Sequence, residues 1–391
     1  MSGSTNNRTA PSIVIGAGGT GGHIYPGLAV ADAIRSRVPD ANISFIGTPR
    51  GLEKKLIPEA GYELATVDML PFSTGLGWRL GLFPVALVRS ALQARRVLRS
   101  RKADVVLGMG GYPSVPAVLA AYLTRRPRII HESNATPGLA NRFVSRLVPN
   151  IALAFDAGAI KVSDSCDMRV VGMPLNSALV GFDREALRDE GRKHFGIGFG
   201  QRMVLVNGGS LGAVKLSEAA ADLAARWKDR DDVKLIIKAG RDQLQSLHDQ
   251  LAANGGDRVA TAVAYLDRMD LAYAASDITV CRSGSGTVAE LAHVGLPAIL
   301  VPYPSAAHDH QTHNAQALVD IGGALMLRND EVTAKRLEEL LDPVLTNPET
   351  LAKMAANAYQ PVHANAAQEL ARWILRLAGA DRPDDRQEPA E

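Results

Sequence analysis

A short β-branched run that stops at a glycine cluster, followed by a longer stretch of helical periodicity, recurs through this chain in two matching series. SIVIG (12–16), ISFIG (43–47), DVVLG (104–108) and RIIH (128–131) form the first; MVLVN (203–207), VKLIIK (233–238), VAYL (263–266), DITVC (277–281) and AILV (298–301) form the second. Apolar runs of this length, spaced by helices, mark βαβ units whose parallel strands are buried on both faces. The glycine features also keep one order: IVIGAGGTGG, DVVLGMGGYPSV and RPRIIHES, then MVLVNGGSLGA, DITVCRSGSGTV and LPAILVPYP. The repeat predicts an α/β protein of two similar, doubly wound domains facing each other across a cleft.

With 391 residues, 46% of them hydrophobic, the chain can build two cores at roughly 100 to 200 residues each. The pattern divides it into a mobile tail (1–11), a first domain (12–174), a second (175–360), a closing helix (361–378) and a further mobile tail (379–391). The closing helix sets Leu370, Trp373, Ile374 and Leu377 on one face, so it packs either on the second domain or back on the first. Forty-three Lys and Arg against 41 Asp and Glu leave a net charge of +2, too balanced for a nucleic-acid binder working by whole-surface attraction. Cys166 and Cys281 form no CxxC, which argues against a disulfide framework and a thiolate zinc site and fits a reducing, cytoplasmic setting. No apolar run approaches the ~18 residues of a bilayer span, and the polar start lacks signal-peptide order, so the chain is expected neither secreted nor threaded through a membrane.

The strongest local signal is GAGGTGGHIYPGLAVADAIR (16–35), a strand end, a glycine cluster and a helix that Pro26 can start. Exposed N–H groups at such a loop and at a helix N-terminus favour phosphate oxygens. Gly16, Gly18 and Gly21 also fit the GxGxxG of dinucleotide-binding oxidoreductases. The acid such a site needs at the second strand end is missing, however: Thr48, Pro49 and Arg50 follow ISFIG, and the first acid is Glu53. His23 stands where the strand end opens into the cleft, with an imidazole suited to general-base work near neutral pH; local packing is its alternative role.

NGGSLGA (207–213) and RSGSGTVAEL (282–291) repeat the arrangement. Ser210, Ser283 and Ser285 add hydroxyl donors, Thr287 can cap the next helix, and Glu290 can accept from ribose hydroxyls or favour the helix N-terminus. His308, Asp309, His310, Gln311 and His313 fit no common zinc spacing, so Gln311 and Asn314 are read as sugar contacts. Asp229, Arg230 and Asp231 match an Asp-x-Asp in letters only, in a polar turn, so no metal is expected. Between Met69 and Ala103 there is no acid. Arg79, Arg89, Arg95, Arg96, Arg99, Arg101 and Lys102 mingle there with Trp78, Leu80, Leu82, Phe83, Leu87 and Leu92, a surface able to rest on anionic lipid or, alternatively, a helix with a core-facing side.

In order, from about residue 12 to 378, GGTGGHIYPGLAVA, DVVLGMGGYPSVPAVLAA, HESNATPGLANR, NGGSLGA, CRSGSGTVAELAHVGLPAILVPYP and DHQTHNA resemble the MurG family of bacterial N-acetylglucosaminyltransferases, which have the GT-B architecture of paired Rossmann-like domains. The resemblance implies inverting, cofactor-free transfer of N-acetylglucosamine from UDP-N-acetylglucosamine to the muramic acid 4-hydroxyl of lipid I. Lipid II would form at the cytoplasmic face of the cell membrane, the 69–103 stretch making peripheral contact. It implies that Thr20, Gly21 and Gly22 face diphosphate and acceptor and that His23 is the base. On the donor side it implies Asn134, Ser210 and Gln311 as contacts, Leu266 as backbone partner of uracil, Ser285, Gly286, Thr287, Val288 and Ala289 as the donor loop and helix start, and Glu290 as ribose ligand.

Three positions depart from the family. Asn176 stands where GNPVR would supply an arginine, Leu211 where GGSQGA has Gln, and Ser133 where HEQN has Gln. Loss of the arginine removes about 1.5–3 kcal/mol of phosphate binding unless another cation replaces it. Rival readings are another GT-B transferase making a glycolipid, a UDP-N-acetylglucosamine 2-epimerase, a nicotinamide oxidoreductase and a non-catalytic nucleotide-sugar sensor.

Overall fold

The computed structural model describes residues 10–70, 83–156, 162, 165–208 and 213–380. Two compact units make up the chain, residues 1–176 with 365–391, and residues 177–364. Most of both expected tails, the NGGSLGA loop with Ser210 and Leu211, and Trp78 to Leu82 lie outside the described residues.

The first unit runs β1 (Ser12–Gly16), α1 (Gly21–Arg37), β2 (Asn42–Gly47), α2 (Glu53–Glu59), β3 (Glu63–Thr66), α3 (Phe83–Ser100), β4 (Val105–Gly108), α4 (Val115–Leu123), β5 (Arg128–Glu132), α5 (Leu139–Val144), β6 (Asn150–Leu153) and β7 (Asp167–Val170). Its strands pair in parallel in the order β3-β2-β1-β4-β5-β6-β7. β1 and β4 are wholly buried, because both faces of the sheet are covered. Ile13, Ile15 and Leu107 meet Ile24, Val30 and Ile34 of α1 on one face, while Val14 and Val106 meet Ala94 and Leu98 of α3 on the other.

The second unit runs α6 (Arg184–His194), β8 (Arg202–Asn207), α7 (Val214–Arg226), β9 (Val233–Lys238), α8 (Arg241–Asn254), β10 (Ala260–Val263), α9 (Met269–Ala275), β11 (Ile278–Cys281), α10 (Ser285–Val294), β12 (Ala298–Leu300), α11 (His310–Val319), β13 (Ala324–Met326), α12 (Ala334–Leu345) and α13 (Pro348–Ala358). Its parallel order is β10-β9-β8-β11-β12-β13. Counted within each unit, both sheets follow 3-2-1-4-5-6, with β7 added at one edge of the first. The α/β class and the doubly wound repeat expected from the sequence are thus present, and each sheet reverses its winding beside its first strand, the position where such sheets bind ligands.

The chain ends with α14 (Ala366–Leu377), which belongs to the first unit. Leu370, Trp373 and Ile374 join Ile13, Ile24 and Ile34 in one core, Leu377 packs at its margin, and the Arg169 guanidinium lies 4.7 Å over the Trp373 ring.

Three local expectations are corrected. Pro26 does not start α1; the helix begins at Gly21, so the ring sits in the second turn and withholds the N–H that Gly22 O would accept. Gly22 is exposed, so water can serve that carbonyl. Thr287 is not a cap, since Gly284 holds the N-cap of α10 and Thr287 lies within its first turn. The strand read at 263–266 is β10, which ends at Val263 because its partner β9 ends at Lys238, leaving Leu266 in the following loop.

Candidate functional site

In the first unit, β1 and β4 run side by side with Gly16 opposite Gly108, so the loops that follow them meet. His23 enters from the first turn of α1. Its ring rests on Gly110 and Gly111: a Cβ on Gly110 would stand 3.1 Å from His23 Cδ2, and one on Gly111 would stand 3.1 Å from His23 Nδ1 and 2.8 Å from Gly18 O. Both glycines have positive φ, 88° and 70°, a backbone that L side chains rarely adopt. The GGYPS segment is therefore a seat for an imidazole. Thr20 Oγ1 lies 3.1 Å from His23 Nδ1, a contact that holds the ring's orientation and bears on which of its nitrogens carries the proton. Thr20 and Gly22 are exposed beside it, and Gly21 is half-buried.

Two buried carboxylates that sequence reasoning did not assign to the site shape it from below. Glu53, fully buried, accepts from Gly19 N at 3.1 Å, Thr48 N at 3.1 Å and Thr48 Oγ1 at 2.7 Å. The acid weighed for a nicotinamide ribose is thus turned inward beneath the glycine loop. Glu132 accepts on one oxygen from Asn134 N (2.9 Å) and Asn134 Nδ2 (3.1 Å), and on the other from Gly138 N (3.1 Å) and Asn141 Nδ2 (2.9 Å). Burial pushes its carboxyl up, and the four donors oppose that shift. The predicted contact Asn134 is therefore oriented by Glu132. The signal for Glu132 was available in HES, an acid next to an apolar strand end.

His131, also buried, lies 3.0 Å from Gly172 O through Nε2, and burial lowers its pKa from 6.5 to about 4. Between these values the unfolded chain binds the extra proton, so stability is full above about pH 6.5 and falls as the pH drops toward 4, by about 3 kcal/mol from this group. Urea titrations from pH 7 to 4 should show that fall, and His131→Gln should flatten it.

In the second unit β8 and β11 flank the reversal, with Asn207 opposite Cys281. The loop after β11 leads directly into α10, whose N-cap Gly284 offers no side chain, so the first-turn N–H groups of Ser285, Gly286 and Thr287 are available to an anion. Val288 and Ala289 are buried on the helix's inner face. Glu290 is half-buried and accepts from the Tyr273 hydroxyl at 2.6 Å; desolvation raises its pKa, and that hydrogen bond opposes the rise.

Gln311 Oε1 accepts from Tyr303 N at 2.9 Å, and its backbone carbonyl accepts from buried Ser283 Oγ at 2.8 Å, which ties α11 to the α10 loop and leaves the Gln311 amide nitrogen to donate elsewhere. Asn314, expected to reach sugar, is fully buried; its Nδ2 stands 3.4 Å from Ser283 O, so it braces the loop from behind. Arg282 is likewise spent on the Val301 and Pro302 carbonyls, both at 3.1 Å. Leu266 borders a pocket of about 200 Å³ lined also by Phe195, Ile236, Thr261, Val263 and Tyr265.

Among the described residues no group of three or more His, Cys, Asp or Glu is placed to hold a metal ion. Arg230 holds Asp232 and Asp342, and Asp229 lies 3.9 Å from Arg258. Within the acid-free stretch, α3 turns Ala91, Ala94 and Leu98 into the core and leaves Val85 and Val88 66% and 60% exposed beside exposed Arg89, Arg96 and Arg99. Tyr122 and Leu123 are exposed at the end of the neighbouring α4. No helix described is long and apolar enough to cross a membrane.

Comparison with known proteins agrees with this architecture. The family model described as Glycosyltransferase family 28 N-terminal domain matches residues 13–153, and that described as Glycosyltransferase family 28 C-terminal domain matches residues 203–371. The chain is similar to proteins named UDP-N-acetylglucosamine--N-acetylmuramyl-(pentapeptide) pyrophosphoryl-undecaprenol N-acetylglucosamine transferase. That of Bifidobacterium longum is 38% identical over 95% of this chain and 99% of its own length, and that of Mycolicibacterium vanbaalenii 40% identical over 94% and 90%. Among solved structures, Acinetobacter baumannii MurG aligns with a TM-score of 0.76 and 28% identity over 94% of this chain and 99% of its own. A UDP-GlcNAc 2-epimerase from Neisseria meningitidis aligns at 0.63 and 14%, covering 94% and 99%, a likeness of fold alone. Two parallel sheets wound alike, both family 28 domains in order and near-complete coverage of these relatives lead to one conclusion: the chain belongs to glycosyltransferase family 28, in the MurG family.

Proposed function

We propose that this chain transfers N-acetylglucosamine from UDP-N-acetylglucosamine to the muramic acid 4-hydroxyl of lipid I, forming lipid II for peptidoglycan. The observation that carries the reading is a seated imidazole at one winding reversal together with an uncapped helix N-terminus and an acceptor carboxylate at the other, in a chain whose relatives bear that name over their whole length. The diphosphate is met by the α10 amides and uracil by the backbone at Leu266. His23 Nε2 takes the acceptor proton as its oxygen attacks the anomeric carbon from the face opposite UDP, which inverts that centre; the helix terminus then stabilises the departing diphosphate.

The test supplies purified protein with radiolabelled UDP-N-acetylglucosamine and a lipid I analogue in excess EDTA. Labelled disaccharide-lipid supports the reading. Formation of the 2-epimer without acceptor, or transfer from UDP-glucose in preference, defeats it.

The second reading, peripheral contact with the inner membrane face, is supported by the exposed apolar and basic residues of α3 with Tyr122 and Leu123. Vesicles containing anionic lipid should carry the protein on flotation, with most of that binding lost at 1 M salt, where screening shortens to about 3 Å. Equal flotation with neutral vesicles would defeat the electrostatic part of this reading.

A further inference from the structure

Four carboxylates of the second unit show a contrast in how they are held. Asp232, Asp270 and Asp330 are each gripped by an arginine two positions before them, with nitrogens on both carboxylate oxygens: Arg230 at 2.8 and 2.7 Å, Arg268 at 3.0 and 2.7 Å, and Arg328 at 3.1 and 2.7 Å. A carboxylate so held is neutralised and has little capacity left for a ligand. Glu290 is held differently. It receives a single neutral donor, the Tyr273 hydroxyl, on Oε2 at 2.6 Å.

That donor comes from inside. Tyr273 is 2% exposed, on α9 before the central strand β11, while half-buried Glu290 lies on α10 after it. The bond therefore bridges the two helices flanking the strand at whose end the α10 N-terminus opens. A tyrosine has only two side-chain torsions, and packing of this ring fixes both, so its hydroxyl is a stationary donor. Pinning one oxygen restricts the rotation of the carboxylate plane and leaves the other oxygen outside that bond, and a neutral donor, unlike an arginine, brings no opposite charge to the carboxylate. A charged oxygen with open lone pairs is what a hydroxyl-bearing ring would use as acceptor.

We infer that Tyr273 is a positioning residue for the donor's ribose: by holding Glu290 Oε2 from within, it presents Glu290 Oε1 to the ribose hydroxyls. The inference rests on the proposed role of Glu290 and adds the residue that makes that role geometrically selective. A purely structural pair would stabilise the unit without regard to which sugar is bound.

The test titrates UDP, 2′-deoxy-UDP and 3′-deoxy-UDP into the full chain by calorimetry. The parent should prefer UDP over at least one deoxy analogue by about tenfold, the scale of a hydrogen bond to a charged group. Tyr273→Phe, which removes one atom, should weaken UDP by about five- to tenfold, leave the disfavoured analogue within about twofold, and so bring the preference close to one. Glu290→Asp keeps the charge but draws it back from the Tyr273 hydroxyl, and it should erase the preference too; this second variant also serves if Tyr273→Phe fails to fold. Retention of the preference in either variant, or equal weakening of all three nucleotides, overturns the inference. A parent that binds UDP without any preference removes the ribose role of Glu290 and this inference together, while the transfer assay decides the proposed function separately.

Discussion

His23→Ala should lower turnover by about 10²- to 10⁴-fold, the usual contribution of a positioned general base, while UDP affinity stays within about twofold of the parent. The split follows from where the groups lie. His23 belongs to the first unit, whereas α10, Glu290, Gln311 and Leu266 all belong to the second. The imidazole is half-buried and rests on two glycines, so its removal leaves no filled core position empty, and the melting temperature should move little. Steady-state rates with saturating donor, set beside calorimetric UDP binding, check both halves. Turnover within a few-fold of the parent would show that another group, or solvent, takes the acceptor proton.

The second large effect is on stability. Glu132→Gln preserves shape but replaces an oxygen by an amide nitrogen, and whichever way the amide turns, two donors then face a donor: Asn134 N and Nδ2, or Gly138 N and Asn141 Nδ2. With Glu132 only 2% exposed, water cannot relieve the mismatch. The expected loss is about 3 kcal/mol, which in a unit of this size lowers the melting temperature by about 6–12 °C. Calorimetric scanning should show it at pH 7, and Asn134, released from its brace, should lose its fixed orientation. A melting temperature within 2 °C of the parent would mean that the network contributes little.

The winding of both sheets was legible because parallel strands covered on two faces must be continuously apolar, and SIVIG, DVVLG and MVLVN are. Edge strands were harder. ELAT and DMRV are only partly buried and carry polar residues, so neither stands out from loop in composition, and VAYL was read past the end of its partner strand. The start of α1 was misplaced because a proline usually marks a first turn, whereas here the glycine cluster already belongs to the helix. Within the site, the glycine loops and His23 could be read because each has a distinctive residue type at a strand end. Glu53 and Tyr273 could not, since a buried brace is defined by what lies next to it in space: Glu53 meets Gly19 across 34 positions, and Tyr273 meets Glu290 across 17. Asn314 shows the converse, a polar side chain in a promising motif that faces the interior.

The return of α14 to the first unit has a consequence for how the protein is made. Ile13, Ile24 and Ile34 emerge early from the ribosome, yet Leu370, Trp373 and Ile374, which share their core, follow only after all 188 residues of the second unit. At about 5–20 residues per second the early segment, about 340 positions ahead of Leu370, waits roughly 20–70 s with an apolar surface uncovered. The second unit is contiguous and has no such delay, so during synthesis the later half can mature before the earlier one. A nascent chain halted before Ala366 would leave the beginning of the protein, rather than its end, as the part in need of a chaperone.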